Sequence, residues 1–231
     1  MQHSSADIAG KLTALHASVV RPTIFEEMKY EQVPFRAKTE ASEVPLGIDI
    51  PELTAEDKRT LQSGGRVQMQ QRSGRAGTGW VVVEVLADPD LVFAALTDFR
   101  QYTDMIPTVR GTTVYYEAGA VCKAQYLLSK FRLKINAEQE VFAQERVIRF
   151  ALDADKPNAI MHKAEGYWWV QQSETEGCSR VWLSANIVAS RLVPTLLVDY
   201  TACRALPRAT SWIQPHFQQL GSRSRGESVE K

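Results

Sequence analysis

The sequence predicts an α+β fold in which a curved antiparallel sheet of seven strands wraps around a long C-terminal helix. Three observations predict this fold. Apolar and polar residues alternate in successive runs between Trp80 and Val188, the gaps between these runs have hairpin length, and an apolar stripe at helical spacing follows over residues 195–220. Alternation with one polar face is typical of antiparallel strands that have one face buried and the other in water.

The composition indicates one ordinary globular domain with extensions, or two small domains. The chain has 231 residues, 44% of them hydrophobic, and 27 basic residues balance 27 acidic ones. A formally neutral chain argues against broad electrostatic capture of nucleic acid, so we expect no nucleic-acid partner. The cysteines, Cys122, Cys178 and Cys203, form no CxxC pair, which argues against a zinc cluster or a disulfide framework and favours a reducing intracellular compartment.

The first 53 residues are predicted to be an N-terminal extension. Residues 4–20 carry apolar side chains at helical spacing, which predicts a short amphipathic helix; a targeting segment and disorder are the alternatives. Residues 21–52 combine prolines with separated aromatic residues, which indicates an extended arm lying on a surface rather than a domain. This arm is the candidate contact with a protein partner.

Residues 54–79 are predicted to hold a short helix and a linker or strand. Thr54 is followed three residues later by Asp57, a capping-box pattern that predicts a helix over 55–62. The alternation over 66–72 predicts an extra strand. A flexible turn is expected at three glycines, Gly74, Gly77 and Gly79.

The domain proper is predicted over residues 80–221. A strand over 80–87 should lead into a helix that is capped by Asp88 or Asp90 and runs to Thr97, and residues 99–107 should form a second short helix or turn. Six more strands are predicted at 108–116, 120–129, 131–142, 146–152, 160–171 and 180–188.

The final helix is predicted over 195–220, followed by a polar tail over 222–231. Pro207 and Pro215 lie inside it and should kink or split it, because proline lacks the amide hydrogen and its ring collides with the preceding turn.

The order of these elements resembles the START-like polyketide cyclase/dehydrase and lipid-transport superfamily, also called SRPBCC, in the branch that includes coenzyme-Q-binding proteins and their plastid and cyanobacterial relatives. The residues that carry the resemblance are Val92, Leu96-Thr97-Asp98-Phe99, Tyr102, Met105-Ile106-Pro107, Gly166-Tyr167-Trp168, Val193-Pro194 and Arg204-Ala205-Leu206-Pro207. The resemblance implies a helix-grip fold with an internal hydrophobic cavity, and a plastid as the compartment. It specifies the ligand poorly, because this fold hosts carriers, cyclases and hydrolases.

From these considerations we expect the cavity to bind a hydrophobic small molecule such as an isoprenoid quinone, a pigment or a lipid. Its mouth is predicted at residues 99–107 and 193–197, Arg204 or Tyr126 would orient the polar head, and Met105 with Ile106 could dip into a membrane surface. The candidate ligand-binding residues are Phe99, Tyr102, Met105, Ile106, Pro107, Tyr126, Phe131, Ile135, His162, Trp168, Leu196, Tyr200 and Arg204.

The motifs predict no catalytic residue, metal site or cofactor. None of the four histidines has metal-ligand spacing. His162 could face the cavity on the same strand face as Ala164 and Trp168 and act as a base, with a hydrogen-bonded or rim histidine as the alternative. Arg204 has a surface position or a salt bridge to Asp199 as its alternative.

The sequence therefore leaves three candidate functions. A carrier or chaperone for the hydrophobic molecule is the leading hypothesis. An aromatase/cyclase-like enzyme that uses His162 or an acid facing the cavity is the second. A structural subunit of a membrane-associated assembly, anchored through the arm at 21–52, is the third.

Overall fold

Eight antiparallel strands form a single sheet in the computed structural model, which describes residues 47–128, 133–194, 196, 198 and 204–226, the last six without their side chains. The elements are α1 Ala55–Gln62, β1 Arg66–Ser73, β2 Ala76–Leu86, α2 Pro89–Thr97, a 3-10 turn Phe99–Gln101, α3 Tyr102–Met105, β3 Val109–Ala118, β4 Val121–Leu128, β5 Leu133–Phe142, β6 Val147–Leu152, β7 Met161–Gln172, β8 Cys178–Ala189, α4 Ala205–Thr210 and α5 Ile213–Gly226.

The strand order is β1-β2-β8-β7-β6-β5-β4-β3. Strands β3 to β8 therefore form a meander, and β2 closes against β8, so the segment containing α2 and α3 carries the chain from one side of the sheet to the other. The predicted α+β helix-grip architecture is confirmed. The sheet has eight strands rather than seven because residues 66–73 pair along their whole length with β2.

The first helix begins where its capping box predicts and covers the predicted residues 55–62. The Thr54 amide donates to Asp57 Oδ2 at 2.9 Å, and the Asp57 amide donates to Thr54 Oγ1 at 3.1 Å. These reciprocal bonds satisfy two amides that the first turn leaves free. The second helix begins in the same way, because Asp88 accepts from the Asp90 amide at 2.8 Å and Pro89 occupies the first turn.

The predicted flexible turn through three glycines is wrong at two of them. Only Gly74 lies in the β1–β2 turn, at φ +57°, whereas Gly77 and Gly79 belong to β2. A Cβ added at Gly79 would lie 2.4 Å from the Met69 carbonyl oxygen and 3.0 Å from Leu206 Cδ1. Glycine is needed there because β1 and the helix α4 both approach the backbone closely.

The C-terminal helix is split, as its prolines predict. Helix α4 ends at Thr210 and α5 begins at Ile213. Pro215 lies in the first turn of α5, where its missing amide hydrogen is tolerated, but its ring prevents a continuous helix through Ser211. Residues 195, 197 and 199–203, in the first part of the predicted helix, lie outside the described residues. No helix in the described part of the chain is long and apolar enough to span a membrane.

The sheet buries apolar residues on both faces. The inner face packs against α2, α3, α4 and α5. On the outer face, Ile48, Leu53 and Leu61 cover Trp169 and Trp182. The described end of the predicted arm therefore packs on its own domain, and the Tyr167 hydroxyl donates to the Asp49 carbonyl at 2.9 Å. The remainder of the extension and the polar tail after residue 226 lie outside the described residues, and the predicted domain boundaries stay predictions.

Candidate ligand-binding site

The inner face of the sheet is covered unevenly along its strands. At the end near α2 the inward side chains, among them Val81 and Leu183, are fully buried. Towards the opposite end the inward residues Ile187, Ala164 and Leu152 are only half-buried. The inner face therefore presents apolar surface that the described residues leave partly open.

Small residues occupy much of this partly open region. The strand register aligns two rows across the sheet: one contains Gly79, Ala185, Gly166, Phe150, Gln139 and Cys122, and the next contains Gly77, Ile187, Ala164, Leu152, Ala137 and Ala124. In the first row Ala185, Gln139 and Cys122 are buried and Leu206 of α4 lies over Gly79, whereas the second row is only half-buried except at Ala124. The surface that the described residues leave open is therefore mainly that of the second row.

Three of the predicted aromatic residues meet over the inner face. The Phe99 and Tyr102 rings are 5.6 Å apart in an edge-on arrangement, and the Tyr102 and Tyr126 rings are stacked at 5.8 Å. The Tyr102 hydroxyl donates to the Leu96 carbonyl at 2.6 Å, which ties α3 to α2. Burial raises the pKa of Tyr102, so its hydroxyl stays protonated and keeps this bond.

A buried polar pair lies beside this aromatic cluster. Gln139 Nε2 donates to the Tyr126 hydroxyl at 2.8 Å, and the two residues are only 5% and 8% exposed. Gln139 Oε1 is buried and has no hydrogen-bond partner. Gln139 is not among the sequence-predicted residues, although it is the polar member of the otherwise apolar inward series Ile135, Ala137 and Val141 in β5, and this break in the pattern could have identified it.

The predicted membrane-dipping tip is wrong. Ile106 is buried and Met105 packs against the inner core, while Pro107 alone of this group is exposed. The Ile106 amide donates to the Tyr102 carbonyl at 2.9 Å, and this last turn of α3 directs Ile106 into the core. Ile135 and Trp168 are likewise buried on the inner face.

Other predicted residues lie elsewhere. His162 is exposed because a register shift between Met161 and Lys163 interrupts the two-residue alternation, so the expectation that it shares the inward phase of Ala164 is wrong. Leu196 is 84% exposed and does not line an interior cavity. Arg204 is exposed. Phe131 and Tyr200 lie outside the described residues.

A surface depression of about 440 Å³ opens at the β6–β7 end of the sheet. Its walls include the inward residues Leu152 and Ala164, but among the predicted ligand-binding residues it contains only His162. The depression and the aromatic cluster are separate places. We regard the depression as the rim of the partly open inner face, because its remaining walls are the loop that joins the two strands and the adjoining strand residues Ala151, Met161, Lys163 and Glu165.

Charged residues gather instead on the outer face. Lys123 Nζ lies within 3.0 Å of carboxylate oxygens of Asp153, Asp155 and Glu138, and Tyr115 donates to Asp153 at 2.7 Å. Burial raises the pKa of the Asp153 carboxyl, but the hydrogen bonds from Tyr115 and Lys123 outweigh it and hold that pKa below its ordinary value. Within the described ranges, no group of metal-ligating side chains is found.

Comparisons with known proteins give likenesses of structure. A STAR-related lipid transfer protein fragment from Xanthomonas axonopodis matches with a TM-score of 0.57 at 14% identity, over 67% of this chain and 94% of that one. A START superfamily protein from Mycobacterium smegmatis matches with a TM-score of 0.50 at 14% identity, over 67% and 98%. The Zhui aromatase/cyclase from Streptomyces sp. R1128 gives 0.48 at 15% identity, over 64% and 93%.

No family model matches the sequence, and no curated protein matches it. At these identities the likenesses to the lipid transfer protein fragment and to the START superfamily protein show the fold, which is the helix-grip fold of START-like proteins.

Proposed function

We propose that this protein binds a hydrophobic small molecule over the inner face of its sheet and serves as its carrier or chaperone. The observation that carries the proposal is the decrease in burial along the inner face, from the fully buried Val81 to the half-buried Ile187 and Ala164. An apolar ligand would remove this surface from water and gain roughly 25 cal/mol per Å² of area buried. The structural likeness to a lipid transfer protein supports the proposal at the level of the fold.

The chemical class of the ligand is also proposed. An isoprenoid quinone, a pigment and a lipid all fit an apolar site bordered by aromatic residues. The relation to coenzyme-Q-binding proteins and the plastid compartment are supported by the sequence resemblance described above.

Binding of N-phenyl-1-naphthylamine, an uncharged dye whose fluorescence rises in apolar surroundings, tests the proposal. We expect saturable binding with one dye per chain. Ala164→Phe adds an aromatic ring to the half-buried inner face and should weaken binding at least tenfold, because it occupies the space that the ligand needs. Urea unfolding of the variant verifies that it is folded.

Ala151→Phe is the matched control. Ala151 lies on the neighbouring strand β6, is exposed and borders the same surface depression, but belongs to the opposite strand phase. We expect it to leave dye binding unchanged. Equal weakening by both variants would place the dye in the depression, and absence of saturable binding to the wild-type protein would refute the proposal.

Native mass spectrometry of protein purified from its own source, with extraction of bound molecules, identifies the ligand class. A stoichiometric apolar adduct is the expected result. Protein that is always empty but co-purifies with fixed partner subunits would favour the structural-subunit alternative. His162 is exposed at a bulge, so the enzyme alternative would have to use an acid that faces the cavity.

A further inference from the structure

We propose that the Tyr126–Gln139 pair holds the ligand by a hydroxyl group, so that the bound molecule is an apolar alcohol or phenol rather than a hydrocarbon, an ether or an ionised lipid. This inference rests on the proposed function and specifies the chemistry of that same site. It depends on an unpartnered polar atom that is buried on the inner face among small residues.

The pair spans two strands. Tyr126 on β4 is directly opposite Ile135 on β5, and Gln139 lies four residues further along β5 on the same face. The Tyr126 hydroxyl reaches Gln139 because the opposed residues that lie between them, Ala124 and Ala137, have small side chains. Gln139 is directly opposite Phe150, which is half-buried. The polar pair therefore adjoins the partly open apolar surface.

Within the described residues, some hydrogen-bonding groups of the pair have no partner. One amide hydrogen of Gln139 goes to the Tyr126 oxygen, which leaves Gln139 Oε1 as an acceptor without a donor. Within the part of the chain that the structure describes, the Tyr126 hydrogen has no acceptor. Exchanging the amide oxygen and nitrogen, which heavy-atom positions do not distinguish, reverses the roles. The Tyr126 hydrogen then goes to the amide oxygen, and both amide hydrogens and a phenol lone pair remain.

In either orientation the pair therefore has one acceptor and two donor hydrogens without partners among the described residues, because the Gln139 amide carries two hydrogens. A hydroxyl group can satisfy all of them, because it donates one hydrogen and accepts through two lone pairs. A ketone or an ether only accepts, and a hydrocarbon does neither, so each leaves a buried polar group unmet, which costs more than a typical hydrogen bond contributes.

The surroundings select a neutral group. Burial raises the pKa of the Tyr126 phenol, so the phenol stays uncharged. The inward neighbours Cys122, Ala124 and Ala137 carry no charge, and an ionised head group placed here would be buried without a counter-charge. An ordered water can satisfy the same groups, so a buried water is the rival occupant.

Three matched probes distinguish these occupants: 2-naphthol, 2-methoxynaphthalene and naphthalene share a ring system and differ in the oxygen group. Their affinities are measured by displacement of N-phenyl-1-naphthylamine from the wild-type protein. We expect 2-naphthol to bind about tenfold more tightly than either of the others, because two hydrogen bonds contribute roughly that factor. This comparison needs no variant.

Gln139→Met and Tyr126→Phe keep the side-chain shapes and remove the polar atoms. Both should reduce the preference for 2-naphthol to about twofold or less, since only the ring burial common to all three probes remains. Gln71→Met, at an exposed position of β1, should leave the preference unchanged. Urea unfolding midpoints establish that each variant is folded, and either one of the pair suffices for the test.

Equal affinity of 2-naphthol and 2-methoxynaphthalene for the wild-type protein would overturn the inference and indicate that the pair holds a buried water only. A preference that persists in both variants would also overturn it, because the hydroxyl would then be bound elsewhere. Failure of the dye itself to bind is a different result, since it refutes the proposed function and the inference with it.

Discussion

Glu84 and Arg180 form a buried ion pair between β2 and β8, and removing one partner should be among the most damaging substitutions in the fold. Their side chains are 5% and 9% exposed. Glu84 Oε1 accepts from Arg180 at 2.7 Å and 3.1 Å and from the Ser173 hydroxyl at 2.7 Å. One carboxylate oxygen thus receives three hydrogen bonds away from water.

Arg180→Met leaves the Glu84 carboxylate buried with only the Ser173 hydroxyl as a partner. Breaking a buried pair in this way costs about 3–5 kcal/mol of unfolding free energy, because an uncompensated charge remains. The double variant Glu84→Leu with Arg180→Met removes both charges and should lie within about 2 kcal/mol of the wild type, the residual cost being the acceptor that Ser173 loses.

Urea unfolding followed by tryptophan fluorescence measures these differences, since the buried Trp182 lies on the same strand and face two residues from Arg180. The slope of free energy against urea should stay constant so that midpoints report stability. Glu174→Gln is the control: its exposed ion pair with Lys58 should contribute less than about 1 kcal/mol. The reasoning would be refuted if Arg180→Met lost less than about 1 kcal/mol of unfolding free energy. It would also be refuted if the losses of the single variants Glu84→Leu and Arg180→Met summed to the loss of the double variant.

Three further predictions concern stability. Gly166→Ala places a Cβ 2.0 Å from the Ser184 carbonyl oxygen and should lower the free energy of unfolding, measured in urea, by about 2–4 kcal/mol. Unchanged stability would show that β7 and β8 separate easily at this point. Asp153→Asn should make the free energy of unfolding fall less steeply as the pH is lowered. The lowered pKa of the Asp153 carboxyl stabilises the wild type above the unfolded-state pKa, and this stability is lost as pH falls through the folded-state pKa. The same pH dependence of the unfolding free energy in wild type and variant between pH 7 and about pH 3 would contradict this reasoning. Ile48→Ala should lower the free energy of unfolding by about 2–4 kcal/mol because Ile48 is buried on the outer face, whereas Leu91→Ala at a half-exposed position should lower it by less than about 0.5 kcal/mol. Similar losses in both variants would contradict a buried apolar cluster on the outer face.

Local chemistry explains the features that could be predicted from the sequence alone. The capping box at Thr54 and the Asp88-Pro89 start specify helices through bonds within a few residues, and two-residue alternation specifies strands and their faces. Alternation predicts Tyr126 as an inward residue of β4, whereas Phe99 and Tyr102 lie in a 3-10 turn and a short helix, where alternation does not apply, and were expected from the aromatic turn and the resemblance. The structure brings all three into contact.

The tertiary structure decided what periodicity leaves open. Alternation says which residues share a face, but not what covers that face, so the burial of Ile48 on the outer face and the exposure of Leu196 follow only from packing. One extra residue in a strand reverses every later side chain, which is why the bulge at His162 removes that residue from the inward phase. The pairing of Gln139 with Tyr126 likewise depends on the register between two strands, a long-range relation that neither segment carries by itself.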